Sequence, residues 1–190
     1  MIGAMLSALL ATASATTVKL DKSGAANVGS PAPSFGGWDT GGKQVLTLDG
    51  LRHKPTLSPL LITFGASWCH PCREGLPRLI ALSKKHPELR LVLIDVETDG
   101  EPAQAWASEL GLTAPAILDK FENIAKTYGV GSSQADGGKE TLQLPRTFLV
   151  DITGRVRAIY REEGLDLEQV IETDLEAAKA LVRPAATDSK

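Results

Sequence analysis

FGASWCHPCREGLPRL, residues 64–79, holds both cysteines of a 190-residue chain, Cys69 and Cys72. A bridge between them closes so short a loop that the chain-entropy model assigns it only about 2 kcal/mol. Stapling a fold is therefore a weak reason for the pair, and thiol chemistry is a better one. The apolar run Ser58–Phe64 in front of it reads as a strand buried on both faces. A helix is expected behind it, from about Cys69 to Lys85, with Leu76, Leu79, Ile80 and Ser83 on one face and Pro87 as its stop. Cys69 then sits where the first helical N–H groups lack partners and the helix dipole favours an anion. That position stabilises a thiolate, so Cys69 reads as the attacking nucleophile and Cys72, one turn on and less exposed, as the resolving thiol. Pro71 suits a first turn that needs no N–H there, and Pro77 predicts a kink.

Working outward, the chain alternates strand and helix. ELRLVLIDV is a second buried strand, Glu101–Leu110 and Phe121–Tyr128 are short helices closed by Gly111 and Gly129, and RTFLVD and VRAIY are strands joined at Thr153-Gly154. A last helix, about Asp166–Arg183, places Leu167, Val170, Ile171, Leu175 and Ala178 on one face. This order predicts an α/β layer fold with one central sheet. Residues 16–44, rich in Gly, Ser, Thr and Pro, read as an extended lead-in, with a short strand at Val45–Leu48. Gly131–Thr141 is the one long polar loop.

Composition narrows the function classes. Apolar content of 43% and charged content of 23% suit a soluble domain with a proper core. A net charge of −3 gives no support for nucleic-acid binding, and no apolar run is long enough to span a bilayer. The first fifteen residues carry no charge, run apolar from Ile2 to Ala11 and end in Ala13-Ser14-Ala15, the pattern of a secretory signal peptide. The expected organisation is a signal peptide at 1–15, a flexible lead-in at 16–26 and one domain at 27–185, in a periplasmic or otherwise extracytoplasmic compartment.

Other uses of a CxxC are limited. Structural zinc needs about four ligands and there is no second pair; covalent haem attachment needs CxxCH, whereas Arg73 follows Cys72. Copper held by Cys69, Cys72 and His70, and an inert disulfide, stay open. His70 reads either as a cation that stabilises the Cys69 thiolate or as a tolerant surface position. His53 and His86 read as surface residues, Trp106 as core, and Trp68 as packing against the turn. Asp95, Glu97 and Asp99 read as a loose, solvated or capping cluster.

WCHPC within ITFGASWCHPCREGLPRL, with VGSPAPSF upstream and LPRTFLVDITGRV downstream, resembles the thioredoxin-like, exported thiol–disulfide oxidoreductases of the TlpA/ResA type over about Asn27–Leu181. The resemblance implies a thioredoxin-like fold: a mixed central sheet flanked by helices, with an N-terminal extension and an inserted β-α unit. It implies a cis Pro145 facing the CxxC, with the backbone of Leu144 offered to substrate. Trp68, His70, Pro71, Leu144 and Pro145 are thus the expected substrate-binding residues around catalytic Cys69 and Cys72. No cofactor or metal is expected beyond the Cys69–Cys72 disulfide. The expected partners are protein thiols and disulfides with an upstream electron donor, and the expected state is a monomer. The implied direction is reduction; a disulfide-forming oxidant and a copper-binding thiol chaperone are the alternatives. A peroxidase reading is disfavoured by Ala66, where a Thr would stand three residues before Cys69. Two departures from the pattern concern the Cys72 proton: Thr63 stands at the thioredoxins' buried Asp, and Gly75 at the active-site Glu of the ResA-like proteins.

Overall fold

The structure is a computed structural model that describes residues 26–53, 57–131, 141–161, 164 and 166–182. Its elements run β1 (Gly36–Trp38), β2 (Val45–Thr47), α1 (Leu48–His53), β3 (Leu60–Gly65), α2 (His70–Lys85), β4 (Arg90–Asp95), α3 (Gly100–Glu109), β5 (Ala116–Leu118), α4 (Asn123–Thr127), β6 (Arg146–Val150), β7 (Val156–Tyr160) and α5 (Leu167–Val182). The five-stranded sheet has the order β5-β4-β3-β6-β7. β3 pairs in parallel with β4 and β4 with β5, while β6 is antiparallel to both β3 and β7. This is the mixed central sheet of a thioredoxin-like fold.

The side-chain alternation of β3 and β4 divides the core in two. Leu60, Ile62 and Phe64 with Val92 and Ile94 face a cluster that includes Ile117, Tyr128 and Phe148. Leu61, Leu91 and Leu93 face the other side, with Leu76, Leu79 and Ile80 of α2, Trp106 of α3, Ile171 and Leu175 of α5, and both cysteines. The active-site sulfurs are therefore part of a core cluster.

Helix α2 runs through Pro77, whose ring lies on the exposed side, and ends where the His86 N–H bonds the Leu82 carbonyl just before Pro87. Gly111 and Gly129 follow α3 and α4 with φ of 59° and 69°, as expected of helix-closing glycines. On α5, Leu167, Ile171, Leu175 and Ala178 are buried, but Val170 is exposed, because the apolar stripe is narrower than the sequence suggests.

Within 16–44, the described part is less extended than expected. β1 pairs with β2 as a hairpin, and Asp39 bridges Ile117. The segment before β1 is bonded to the turn and start of β7, through Gly29 N–H to the Val156 carbonyl (2.7 Å) and Ala32 N–H to the Gly154 carbonyl (2.8 Å). Gly-rich composition concealed this strand, because Gly37 is there to let the hairpin approach the sheet. A Cβ at Gly37 would lie 2.6 Å from Cγ2 of Ile117. The hairpin and α1 precede the five-stranded sheet as an N-terminal extension, and α3, β5 and α4 lie between β4 and β6. The signal-peptide segment and loop residues 132–140 lie outside the described residues.

Candidate active site

β3 delivers the chain to a turn held from several sides. Cys69 N–H bonds the Ala66 carbonyl at 3.1 Å, and Arg73 N–H bonds the Cys69 carbonyl at 3.2 Å. The Glu97 carboxylate accepts from both the N–H and the hydroxyl of Ser67. Arg73 bonds the Ser67 carbonyl (3.0 Å) and grips Glu109 at 2.7 and 2.9 Å, which ties the first turn of α2 to the end of α3.

Cys69 is the N-cap residue of α2, and its Sγ accepts a hydrogen bond from the Cys72 N–H at 3.3 Å. The sulfur thus occupies the place of an N-cap side-chain oxygen, against the positive end of a sixteen-residue helix. Cys69 and Cys72 are joined by a disulfide, with their Cα atoms 5.2 Å apart. Cys69 is 6% exposed and Cys72 2%. The expected order of exposure is present, but the difference is narrow, because both sulfurs pack among Leu76, Trp106 and the sheet.

Around the pair, His70 projects into solvent with its side chain 85% exposed, its Nε2 3.4 Å from the Glu74 carboxylate. Pro71 occupies the first turn, exposed. Trp68 is 61% exposed, which corrects its reading as a side chain packed against the turn: the turn is held by Glu97 and Arg73 instead. The Leu144–Pro145 peptide bond is cis. Pro145 is buried, and Leu144 packs against both core clusters, including the one that holds the cysteines. Among the described residues, the N–H and carbonyl of Leu144 make no backbone hydrogen bond. Trp106 is core, His53 is exposed, and His86 is half-buried between Glu88 and Glu172.

Only part of the acidic cluster is solvated. Asp99 lies at the surface, 3.8 Å from Lys120, and Glu97 caps the active-site turn. Asp95 is wholly buried, and burial pushes its carboxyl up to about 7. The sequence signal for it was an acid at the end of an otherwise apolar strand, in step with Leu91 and Leu93. At the position of the thioredoxins' buried Asp, the Thr63 hydroxyl accepts from Thr147 at 2.9 Å. Gly75 is buried in α2, and the neighbouring Glu74 points to solvent beside His70. Among the described residues, no group of three or more His, Cys, Asp or Glu is arranged to hold a metal ion.

Residues 28–159 match the AhpC/TSA family. The chain belongs to that family. Within AhpC/TSA relatives it is 30% identical over 159 residues to the thiol–disulfide oxidoreductase ResA of Geobacillus thermodenitrificans, covering 80% of this chain and 78% of the relative. The chain spans from 66% to 78% of the length of the curated relatives of that name. In solved structures its fold is shared by a protein assigned as the thiol:disulfide interchange protein DsbE of Chlorobium tepidum (TM-score 0.67, 21% identity, covering 81% of this chain and 99% of that one). It is shared also by the peroxidoxin BcpB of Mycobacterium tuberculosis (TM-score 0.66, 18% identity, 84% and 99%). At these identities the structures establish the fold, so the chemistry must be read from the residues and from the ResA relatives.

Proposed function

We infer that the protein is a thiol–disulfide oxidoreductase that acts on protein substrates through Cys69 and Cys72, and we propose that it is exported and works as a reductant. The observation that carries the reading is the Cys69–Cys72 disulfide placed with Cys69 Sγ at the N-cap of α2. In the reduced protein, the helix N-terminus favours the Cys69 thiolate, which attacks a substrate disulfide. Cys72 then releases the product by closing the internal bond. The exposed indole of Trp68 beside the pair and the backbone of Leu144, which makes no backbone hydrogen bond among the described residues, support a surface on which an extended substrate segment can lie. Export rests on the apolar, Ala-x-Ala-terminated first fifteen residues, and the domain on 27–185.

The test is insulin reduction by the purified chain, with its two serine variants. Cys69→Ser abolishes exchange, while Cys72→Ser accumulates mixed disulfides with substrate. Trapping by Cys69→Ser would reverse the two roles. Retention of one Cu(I) per reduced chain with no insulin reduction would replace exchange by metal handling. Mass analysis of the protein recovered from the periplasm, with an N-terminus at residue 16, tests export.

A further inference from the structure

The proton of Cys72 has no acceptor at either expected position, since Thr63 and Gly75 carry no carboxylate there. A buried carboxylate ends the neighbouring strand. Gly65, the last residue of β3, is in parallel register with Asp95, the last of β4. Both continue the alternation that sends Leu61, Leu91 and Leu93 into the cluster of the two cysteines and Trp106. An ideal Cβ on Gly65 would lie 3.4 Å from Cys72 Sγ and 3.2 Å from Trp106 Cη2, so the absence of a side chain leaves that face of β3 to Cys72. Adjacent strands are about 4.8 Å apart. Asp95 is therefore the next side chain along the sheet from the site against which Cys72 Sγ packs.

Its hydrogen bonding is incomplete in the same direction of argument. Oδ1 accepts from the Glu97 N–H at 3.0 Å, whereas Oδ2, wholly buried, has no partner among the described residues. A buried carboxylate oxygen is costly to leave unpaired, and a catalytic or redox role is one explanation for such an exception. We propose that Asp95 is the proton acceptor for Cys72, entering from β4 across Gly65. The proposal rests on the exchange reading above.

The Cys69 thiolate attacks one sulfur of a substrate disulfide, forming a Cys69–substrate bond and expelling a substrate thiolate. The Asp95 carboxylate takes the proton of the Cys72 thiol. The Cys72 thiolate attacks Cys69 Sγ, the internal disulfide forms, and the second substrate sulfur leaves and takes up the proton that Asp95 held. Two electrons pass from the cysteine pair to the substrate. Among the described residues, the titratable groups on the elements packed there are Cys69 and Cys72 in the cluster that this side of β4 faces, Glu97 in the following loop, and Asp119, whose N–H bonds the Asp95 carbonyl while its carboxylate caps α4; α3 contributes the uncharged Trp106. Burial, with the Glu97 charge adding and the Glu97 N–H opposing, sets Asp95 near 7, much closer to an ordinary thiol at about 8.5 than a free carboxylate is. Matched values favour transfer.

Reduced wild-type protein and Asp95→Asn are mixed with a chromogenic aryl disulfide that releases one coloured thiolate when Cys69 attacks and a second when Cys72 resolves. The expected result is an unaltered first phase and a second phase slowed about 100-fold at neutral pH. The second phase recovers towards wild type above about pH 9, where the thiol ionises unaided. Unaltered second phases, or both phases slowed alike, would overturn the proposal while leaving exchange intact. A wild-type protein with neither phase removes the exchange reading and this one with it. Should Asp95→Asn not fold, carbon NMR titration of the Asp95 carboxyl in the wild type decides. Its pKa must differ between the oxidised and reduced protein, and an identical value overturns the assignment.

Discussion

His70 at the start of α2 and Asp95 at the end of β4 have opposite settings, one in solvent and one in the interior. His70 lies in solvent with its Nε2 3.4 Å from the Glu74 carboxylate, so any influence on Cys69 is screened by water and salt. Exposed ion pairs are worth about 0.2–1 kcal/mol, and 1.4 kcal/mol corresponds to about 30 mV in a two-electron couple. His70→Gln is therefore expected to lower the potential of the Cys69–Cys72 pair, making it more reducing, by about 20 mV or less, as read in glutathione redox buffers. A larger shift would mean that the imidazole acts on the sulfur at closer quarters than its solvent position allows. Asp95 lies in the interior and bears on stability. Its carboxyl rises from 3.8 to about 7 on folding, mainly through burial. The folded state then binds more protons than the unfolded one between those values, so stability is greatest below about pH 4 as far as this group is concerned. It is lost as pH rises through about 7, on the order of 4 kcal/mol in all. Asp95→Asn is expected to remove that slope and to raise the urea midpoint of the oxidised protein at pH 8. An unchanged or lower midpoint would show that the aspartate is not held at such cost.

At the scale of elements, the extension is attached through one close approach. Gly37→Ala drives a methyl group into Ile117, a fully buried side chain, and is expected to cost about 1–3 kcal/mol in denaturant unfolding. The potential of the cysteine pair should stay within a few millivolts, because β1 meets the sheet at β5 and α2 is anchored elsewhere. This contact also marks where the sequence was readable and where it was not. β3, α2, β4, β6, β7 and α5 are long, periodic or uniformly apolar, and each was apparent from its own residues. β1 and β5 have three residues each, too few for a period, and they are strands because a neighbouring edge satisfies them. The site divides in the same way. Cys69 and Cys72 are carried by the local pattern WCHPC, and the cis Pro145 by the family resemblance to which LPRTF belongs. The burial of Asp95 is signalled only by its step with Leu91 and Leu93 along one strand, whereas the grip of Glu97 on Ser67 depends on which strand lies beside which, and no spacing in the sequence encodes that.

For the whole molecule, the chain places its chemistry at one end of the sheet. β3 hands over to the CxxC turn, β4 ends in Asp95, and the cis-proline precedes β6 beside β3. The polar stretch 132–140 leaves and returns between Gly131 and Leu142, which bridge each other. Because those stems already pair, replacing the stretch by a two-residue turn is expected to leave the fold and the potential nearly unaltered; halving a flexible loop changes stability by only about 0.6 kcal/mol. Exchange rates with folded disulfide proteins should then change far more than those with oxidised glutathione, measured side by side. Equal changes for both would remove a selective role for the stretch. A sulfur with so little of itself at the surface also sets a condition on whatever it meets. The incoming bond must align with Cys69 Sγ, and a bond locked inside a rigid substrate cannot travel there. Only substrates whose own segment swings free will react, and the observed rate should carry the substrate's local opening equilibrium as a multiplier. The enzyme thereby gauges how loosely its client is folded: each kilocalorie per mole that the client spends in opening divides the rate by about five.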